Sequence, residues 1–365
     1  MEAENGAAAV TASRAAAPEE GGAGGWVVSP AFDLLFLANL GWILALLPGF
    51  VAAEGTAHVE FWQIYFLTTP HRWLTLGLVA VDPDRREGRT TLFVALAVAT
   101  LAVVLGVRLL EGQFLCLVFI DYLWNGWHFA SQHHGVLRIY ARKVGGGWPR
   151  LERHGLRLFI FYVIARTAGW ATGWLEADPD RATVLRALDL GALCLPVLLV
   201  IGEWRRPARR PLPKLTYLLS VCGLYSALLL ALNLRASVLV IALTTATATF
   251  HAVEYLAIVT TYAWRRQTTG SAGLFRVMAG RWLGILSAYA VLLGLFAVLL
   301  EQHLAEWWLG LNLWAAFLHY AYDGMIWKLR RPDTARALGI DVPAAPNPQA
   351  VRASFAAPPV PVSSA

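Results

Sequence analysis

Apolar stretches follow one another along most of the chain, each about as long as a membrane is thick. A helix needs about 20 apolar residues to cross the hydrocarbon core of a bilayer. Stretches near this length occur at 31–53, 60–81, 91–111, 114–137, 156–176, 186–202, 215–234, 237–262, 282–301 and 306–327. The pattern predicts an all-α, polytopic membrane bundle of about ten transmembrane helices within residues 29–331.

The two ends of the chain depart from this pattern. Residues 1–28 are mostly Ala, Gly and Glu, without the basic start and apolar run of a signal peptide. Residues 332–365 are rich in Pro and Ala, a composition that buries too little surface to offset the entropy of ordering. We therefore expect a disordered cytosolic lead and a disordered cytosolic tail on either side of the transmembrane domain.

Basic residues are distributed unevenly between the two sets of connecting loops. On the ten-span scheme, 24 Lys and Arg residues fall on one side of the membrane. Four fall on the other side: Arg108, Arg181, Arg186 and Arg235. Because cytosolic loops carry the excess of cations, both termini are predicted to be cytosolic, and we expect a bacterial inner membrane protein.

Composition excludes several classes of protein. The chain is 57% hydrophobic and 15% charged, whereas soluble domains are about 25% charged. The basic residues are almost all Arg in an Ala-rich chain, which we attribute to GC-rich coding and not to nucleic-acid binding. Cys116, Cys194 and Cys222 lie in apolar stretches without CxxC spacing, so neither a disulfide framework nor a zinc knuckle is predicted.

Ionisable side chains interrupt four of the apolar stretches. They are His71, His128, His133, His134, His251, Glu254, His319 and Asp323. Each such group costs roughly 2.5 to 3.5 kcal/mol at the bilayer centre, so the set indicates a buried metal or proton site. The four stretches run in one direction, from outside to the cytosol, and the rise per residue brings their polar groups to one depth near the midplane or in the cytosolic half.

The spacing of the carboxylates favours metal chemistry. His251 and Glu254 are three residues apart and His319 and Asp323 four apart, so each pair lies on one helix face. Imidazole with carboxylate suits iron, manganese or zinc. We expect one or two iron ions at this site, with Glu254 and Asp323 as both ligands and catalytic carboxylates.

The segment WHFASQHHG carries three of the histidines. An ideal helix puts Gln132 on the face of His128 and turns His133 and His134 away to opposite sides, by roughly 140° and 120°. All three histidines can bind one ion only if the helix bulges or unwinds before Gly135. We expect His128 and at least one of the adjacent pair to be ligands.

Other roles stay open for some of these groups. A single histidine in a membrane commonly donates a hydrogen bond to a neighbouring helix. Asp323 has Lys328 and Arg330 nearby in sequence as alternative partners. Asp121 is a candidate partner for Arg72, or a hydrogen-bond acceptor behind a ligand histidine.

These residues resemble the histidine boxes of integral-membrane non-heme iron oxygenases, namely fatty-acid desaturases, sterol and alkane hydroxylases and, more loosely, bacterial carotenoid-cleaving dioxygenases. His128 with His133 and His134 is similar to a stretched HxxxHH box with one extra residue, while His251 and His319 stand where further boxes supply single ligands. The chain departs from the desaturase pattern because it lacks HxxHH and has fewer histidines and more spans. The carotenoid-cleaving group uses single histidines on separate helices, as here.

The resemblance implies O₂-dependent oxidation of an apolar lipid, sterol, carotenoid or hydrocarbon by hydroxylation, desaturation or cleavage. The chain has no GxGxxG fingerprint and no cysteine cluster, so we expect a separate ferredoxin or reductase to dock on the basic loops. Two alternatives come from other classes. A heme-binding electron carrier would leave Glu254 and Asp323 without a role, and a proton- or metal-coupled transporter would use the same groups as a relay.

Overall fold

In a computed structural model the chain is helical, and the part that the model describes contains no strand. The described residues are 24–47, 64–86, 88–173, 178–269 and 274–340. Nine longer helices are labelled in chain order: α1 (Thr69–Val81), α2 (Thr90–Glu111), α3 (Leu115–Val144), α4 (Pro149–Ala171), α5 (Pro179–Ala192), α6 (Cys194–Arg205), α7 (Pro211–Asn233), α8 (Ser237–Thr269) and α9 (Trp282–Ile326).

Five helical segments among the described residues are long and apolar enough to cross a membrane. They are Thr90–Glu111, Pro179–Arg205, Pro211–Asn233, Ser237–Gln267 and Trp282–Ile326. Large aliphatic side chains such as Leu110 and Leu292 are mostly exposed on the outer faces of these helices. Long apolar helices with exposed apolar faces are consistent with a membrane protein, since a helix satisfies its own backbone hydrogen bonds in lipid.

The last long helix, α9, reverses direction within its length. Leu304 has φ −141° and ψ 45°, outside the helical region. The rings of Phe296 and Trp308 lie 6.4 Å apart between centroids, whereas twelve residues of straight helix would span about 18 Å. Trp282 and Ile326 accordingly belong to the same buried cluster. The helix is therefore a hairpin whose two arms, 282–303 and 305–326, pack side by side.

The first apolar stretch is not the continuous α-helix expected over 31–53. It consists of a short α-helix, a π-helix at Asp33–Leu37 and a 3₁₀-helix at Leu40–Leu46, with Asn39 between the last two at φ 43°. The buried Asp33 carboxylate accepts hydrogen bonds from Val27 N at 2.6 Å, Val28 N at 3.0 Å and the Tyr140 hydroxyl at 2.8 Å. These long-range contacts hold the irregular backbone in place. The rest of the stretch, 48–63, lies outside the described residues.

The tail expected to be disordered from residue 332 begins in an ordered helix, Pro332–Ala337. Thr334 and Leu338 are buried, and Arg85 Nη1 donates a 2.9 Å hydrogen bond to Thr334 Oγ1. The lead is likewise packed at its end, where Trp26 and Val27 are buried. These buried contacts correct the expected boundaries. The expectation of disorder otherwise concerns residues 1–23 and 341–365, which lie outside the described part of the chain.

Four helices meet around the predicted site. Helix α9 contacts α1, α3 and α8, and α8 also contacts α1 and α3. A buried apolar cluster that includes Leu74, Val259, Leu318 and Tyr322 packs at this junction. The junction brings together the four apolar stretches that carry the candidate ligands.

Candidate metal centre

Four imidazole rings lie against one another at the centre of the junction. They belong to His71 on α1, His128 on α3, His251 on α8 and His319 in the second arm of α9. Ring centroids are 5.0 Å apart for His71 and His251, 5.0 Å for His71 and His319, 5.0 Å for His128 and His251, and 4.6 Å for His128 and His319. All four side chains are buried. Each of the four helices thus contributes one imidazole to a closed ring.

Two overlapping groups of donors in the described residues have the geometry of a metal site. One is His71, His251 and His319, and the other is His128, His319 and Asp323; within each group the donor atoms lie within 4.8 Å of one another. Asp323 Oδ2 is 3.8 Å from both His128 Nε2 and His319 Nε2. Two ligands of one ion lie at most about 4.2 Å apart at ordinary bond lengths. The donor spacing is therefore close to that of a ligand set.

Nitrogens of the four rings are buried without hydrogen-bond partners. They are His71 Nδ1, His128 Nε2, His251 Nδ1, His251 Nε2 and His319 Nε2. A buried polar atom without a partner costs about 1 to 3 kcal/mol, so this concentration needs compensation. A metal site would take one nitrogen from each ring, including one of the two on His251, and the residues fit such a site.

A hydroxyl layer orients His319 and Asp323 from behind. Thr75 Oγ1 lies 2.7 Å from His319 Nδ1 and 2.5 Å from the Tyr255 hydroxyl. Thr75 and Tyr255 both donate to Asp323 Oδ1, at 3.2 and 3.1 Å. These bonds leave His319 Nε2 and Asp323 Oδ2 directed at the cluster. Thr75 was missed by sequence reasoning; its spacing of four residues from His71 is the signal that places both on one face of α1.

Glu254 lies in a second polar layer beside the histidine ring. It accepts a 2.5 Å hydrogen bond from the Tyr217 hydroxyl and a 2.8 Å bond from Gln132 Nε2, and His133 Nδ1 lies 3.3 Å away. Tyr225 contacts the other nitrogen of His133 at 3.3 Å. Both carboxylate oxygens of Glu254 are thus engaged by protein donors.

Helix α3 runs unbroken from Leu115 to Val144, without a bulge before Gly135. His133 therefore points towards α7 and α8, and His134 points to the opposite side, towards the first turns of α4, where it lines a cavity with Arg153 and Arg157. The two groups of donor residues described above include neither of these histidines, nor Glu254. The contacts of His133, His134 and Glu254 favour roles other than direct metal coordination.

Two further carboxylates lie near the four histidines: Asp323 contacts two of them directly, and Asp121 lies behind Tyr320. Asp121 Oδ1 accepts a 2.8 Å hydrogen bond from the Tyr320 hydroxyl, and the Tyr320 ring lies 4.9 Å from that of His128. Asp323 contacts the histidines and the hydroxyl layer at the distances given above. These contacts favour a role of Asp323 in the site over an ion pair with Lys328 or Arg330. Asp121 is therefore linked to His128 only through the ring of Tyr320.

A cavity of about 360 Å³ opens beside the centre. His128 and Asp323 form part of its wall, and aromatic side chains line much of the rest: Trp124, Trp127, Tyr255, Tyr320 and Trp327. Trp124 and Trp127 are also partly exposed on the outer face of α3. An apolar molecule in this cavity would lie directly against two of the candidate ligands.

Fold and site define an all-helical protein with membrane-length apolar helices and a buried cluster of four histidines and one aspartate. Comparison of the chain with protein-family models, curated proteins and solved structures gives no match. Its function is therefore inferred from its own residues.

Proposed function

We propose that the chain is an integral membrane metalloprotein that uses iron and O₂ to oxidise an apolar substrate. The observation that carries the proposal is the ring of four buried imidazoles with unpaired nitrogens, completed by Asp323. His71, His128, His251, His319 and Asp323 would hold the metal. His319 belongs to both donor groups, which is compatible with one ion or with two ions that share a ligand residue.

The donor set and the cavity support this chemistry together. Imidazole and carboxylate ligands suit iron, with zinc and manganese as alternatives. Iron bound there would supply activation of O₂. The protein's own contribution is to orient Asp323 through Thr75 and Tyr255, and to hold an apolar substrate against His128 in a largely aromatic cavity.

The topology proposed for this enzyme is ten membrane crossings with both termini in the cytosol of a bacterial inner membrane. Two observations support it. The α9 hairpin turns one long helical segment into two antiparallel arms, and the basic residues are concentrated in alternate loops. On this topology the centre lies in the cytosolic half, and a separate ferredoxin or reductase would reach it from the basic side.

The alternatives are less well supported. A heme carrier needs space for a planar macrocycle between two imidazoles, but the rings here contact each other edge to face at 4.6 to 5.0 Å. A proton-coupled transporter would also use buried His and Asp groups. It would not require several unpaired nitrogens to lie within 4.8 Å of one another.

Lipid profiling tests the proposed function. Cells that express the wild-type protein with a suitable reductase should show an oxidised apolar product under air, and none without oxygen. Asp323→Ala and Glu254→Ala should abolish the product, the first through the ligand set and the second through the polar layer that supports it. A wild-type profile equal to that of Asp323→Ala under air, or a product that persists without oxygen, would overturn the oxygenase and favour the transporter.

A further inference from the structure

A second cavity, of about 510 Å³, lies beside the first at the basic ends of α3 and α4. Its wall contains four arginines and two histidines: His134, Arg138, Arg150, Arg153, His154 and Arg157. We call it the basic chamber. Arg157 also lines the aromatic cavity, and its guanidinium lies 5.5 Å from the centre of the Trp127 ring. Arg157 thus lies where the basic chamber meets the aromatic cavity.

The residues that line the basic chamber include four arginines and no carboxylate. Arg138 Nη1 lies 3.9 Å from Glu152 Oε2, and the other oxygen of Glu152 accepts a 2.8 Å bond from Lys214. Arg150, Arg153 and Arg157 all lie on α4, and Arg150 is in its first turn, where the helix dipole is itself positive. An anion in the chamber would relieve this repulsion.

Two buried polar atoms at the basic chamber point independently to a ligand. His134 is only 8% exposed, and its Nε2 has no hydrogen-bond partner. Arg157 Nε is also buried without a partner. Both residues line the chamber, so an oxyanion there would give each of them an acceptor.

We propose that the molecule on which this site acts is an amphiphile with a phosphate-bearing head. This inference rests on the proposed function, since it takes the aromatic cavity as the substrate cavity. The phosphate head lies in the basic chamber. The hydrocarbon tail of the lipid passes Arg157 and Trp127, and the end of this tail lies against His128 and Asp323. Guanidinium forks match phosphate oxygens in pairs, and four arginines suit a phosphomonoester better than a singly charged or zwitterionic head.

Binding to the purified protein in detergent tests the proposal. The probes are oleoyl lysophosphatidic acid, oleoyl lysophosphatidylcholine and inorganic phosphate, each measured on metal-free and iron-loaded protein. We expect the lysophosphatidic acid to bind at least about ten-fold more tightly than either of the others, because only it offers both the phosphomonoester and the chain. Equal affinity for inorganic phosphate would overturn the amphiphile in favour of a free-anion site, and equal affinity for the choline lipid would overturn the role of the basic chamber.

Variants separate the two halves of the binding site. Arg153→Ala/Arg157→Ala should weaken lysophosphatidic acid binding by about ten-fold or more, since charged hydrogen bonds are lost. The matched control Arg205→Ala/Arg209→Ala removes two exposed arginines of another loop and should leave binding within about two-fold. Equal losses in both variants would overturn the proposal.

The apolar half is tested by Gly135→Leu. A Cβ atom added at Gly135 has nothing within 4 Å, and this residue lines the aromatic cavity. The substitution should weaken lysophosphatidic acid binding and leave phosphate binding unchanged, and unchanged lipid binding would contradict the proposed path of the chain. If an acidic redox protein competes for the basic chamber while the lipid does not bind, the chamber is a docking site and the proposal is wrong.

Failure of the binding proposal and failure of the oxygenase proposal can be told apart. Lipid binding is measured without metal, so a protein that binds the lipid but takes up no iron refutes the oxygenase alone. A protein that binds iron through its histidines but shows no preference for the phosphate head refutes the amphiphile alone.

Discussion

At the scale of single residues, the centre depends on how each imidazole is turned. His319 presents Nε2 to the cluster because Thr75 contacts its Nδ1 at 2.7 Å, and His251 is stacked on Phe129 with centroids 3.9 Å apart. The histidines themselves were recognisable in the sequence because ionisable groups are rare in apolar stretches. Thr75 was not, since threonine hydroxyls in such stretches commonly bond only to their own helix.

Thr75→Val tests the hydroxyl layer. Valine keeps the shape of threonine but removes the contacts with His319 and Asp323, and loss of such an outer partner typically lowers metal affinity by about 10- to 100-fold. Competitive metal titration of the purified variant measures the change. Thr261→Val is the matched control, because Thr261 is buried on α8 and donates only to the Ala257 carbonyl at 2.8 Å. Equal loss in the two variants would contradict the positioning role.

At the scale of elements, the sequence predicted the polar helices better than the irregular ones. The gap between 282–301 and 306–327 predicted a break near Leu304, where the α9 hairpin turns. The continuity of α3 agrees with the ideal-helix directions calculated for His133 and His134. The broken backbone around Asp33 had no such signal, because it depends on a hydrogen bond from Tyr140, more than a hundred residues away.

Gly294→Leu tests the packing of the first α9 arm. A Cβ at Gly294 would lie 2.5 Å from the Phe66 ring and 3.0 Å from the Tyr65 carbonyl oxygen, so a side chain there forces the arm away from the segment before α1. We expect a loss of about 1 to 3 kcal/mol in stability, seen as a lower midpoint in thermal unfolding. Gly106→Leu on α2 has nothing within 4 Å of the added Cβ and should unfold like the wild type. A normal midpoint for Gly294→Leu would contradict the close approach.

At the scale of the whole molecule, both the basic residues and the buried ionisable residues are distributed unevenly along the chain. On the proposed ten-span topology the basic residues fall on alternate connections, and the polar centre lies where α1, α3, α8 and the second arm of α9 meet. The sequence could predict this convergence because, on the ten-span scheme, the four polar stretches run in one direction and carry their polar groups at one depth. It could not predict which of the eight ionisable groups share a single point, since this depends on helix rotation and on partners such as Tyr217.

Reporter fusions test the proposed topology. Fusions after Arg89, Arg153, Arg210, Arg276 and Arg336 should all report the cytosol, because the cation-rich connections stay on that side. Fusions after Arg108 and Arg235 are the controls and should report the opposite side. One periplasmic result in the first group would break the alternation on which the shared depth of the four histidines depends.

The most direct measurement of the central claim is the metal content of the purified protein by elemental analysis. We expect about one or two iron ions per chain, with clear loss of metal in His71→Ala, His128→Ala, His251→Ala and His319→Ala. His303→Ala, which alters an exposed histidine near the α9 turn, should retain the wild-type content. A wild-type protein without bound metal, or equal loss in His303→Ala and the four centre variants, would contradict the claim that these imidazoles form a metal centre.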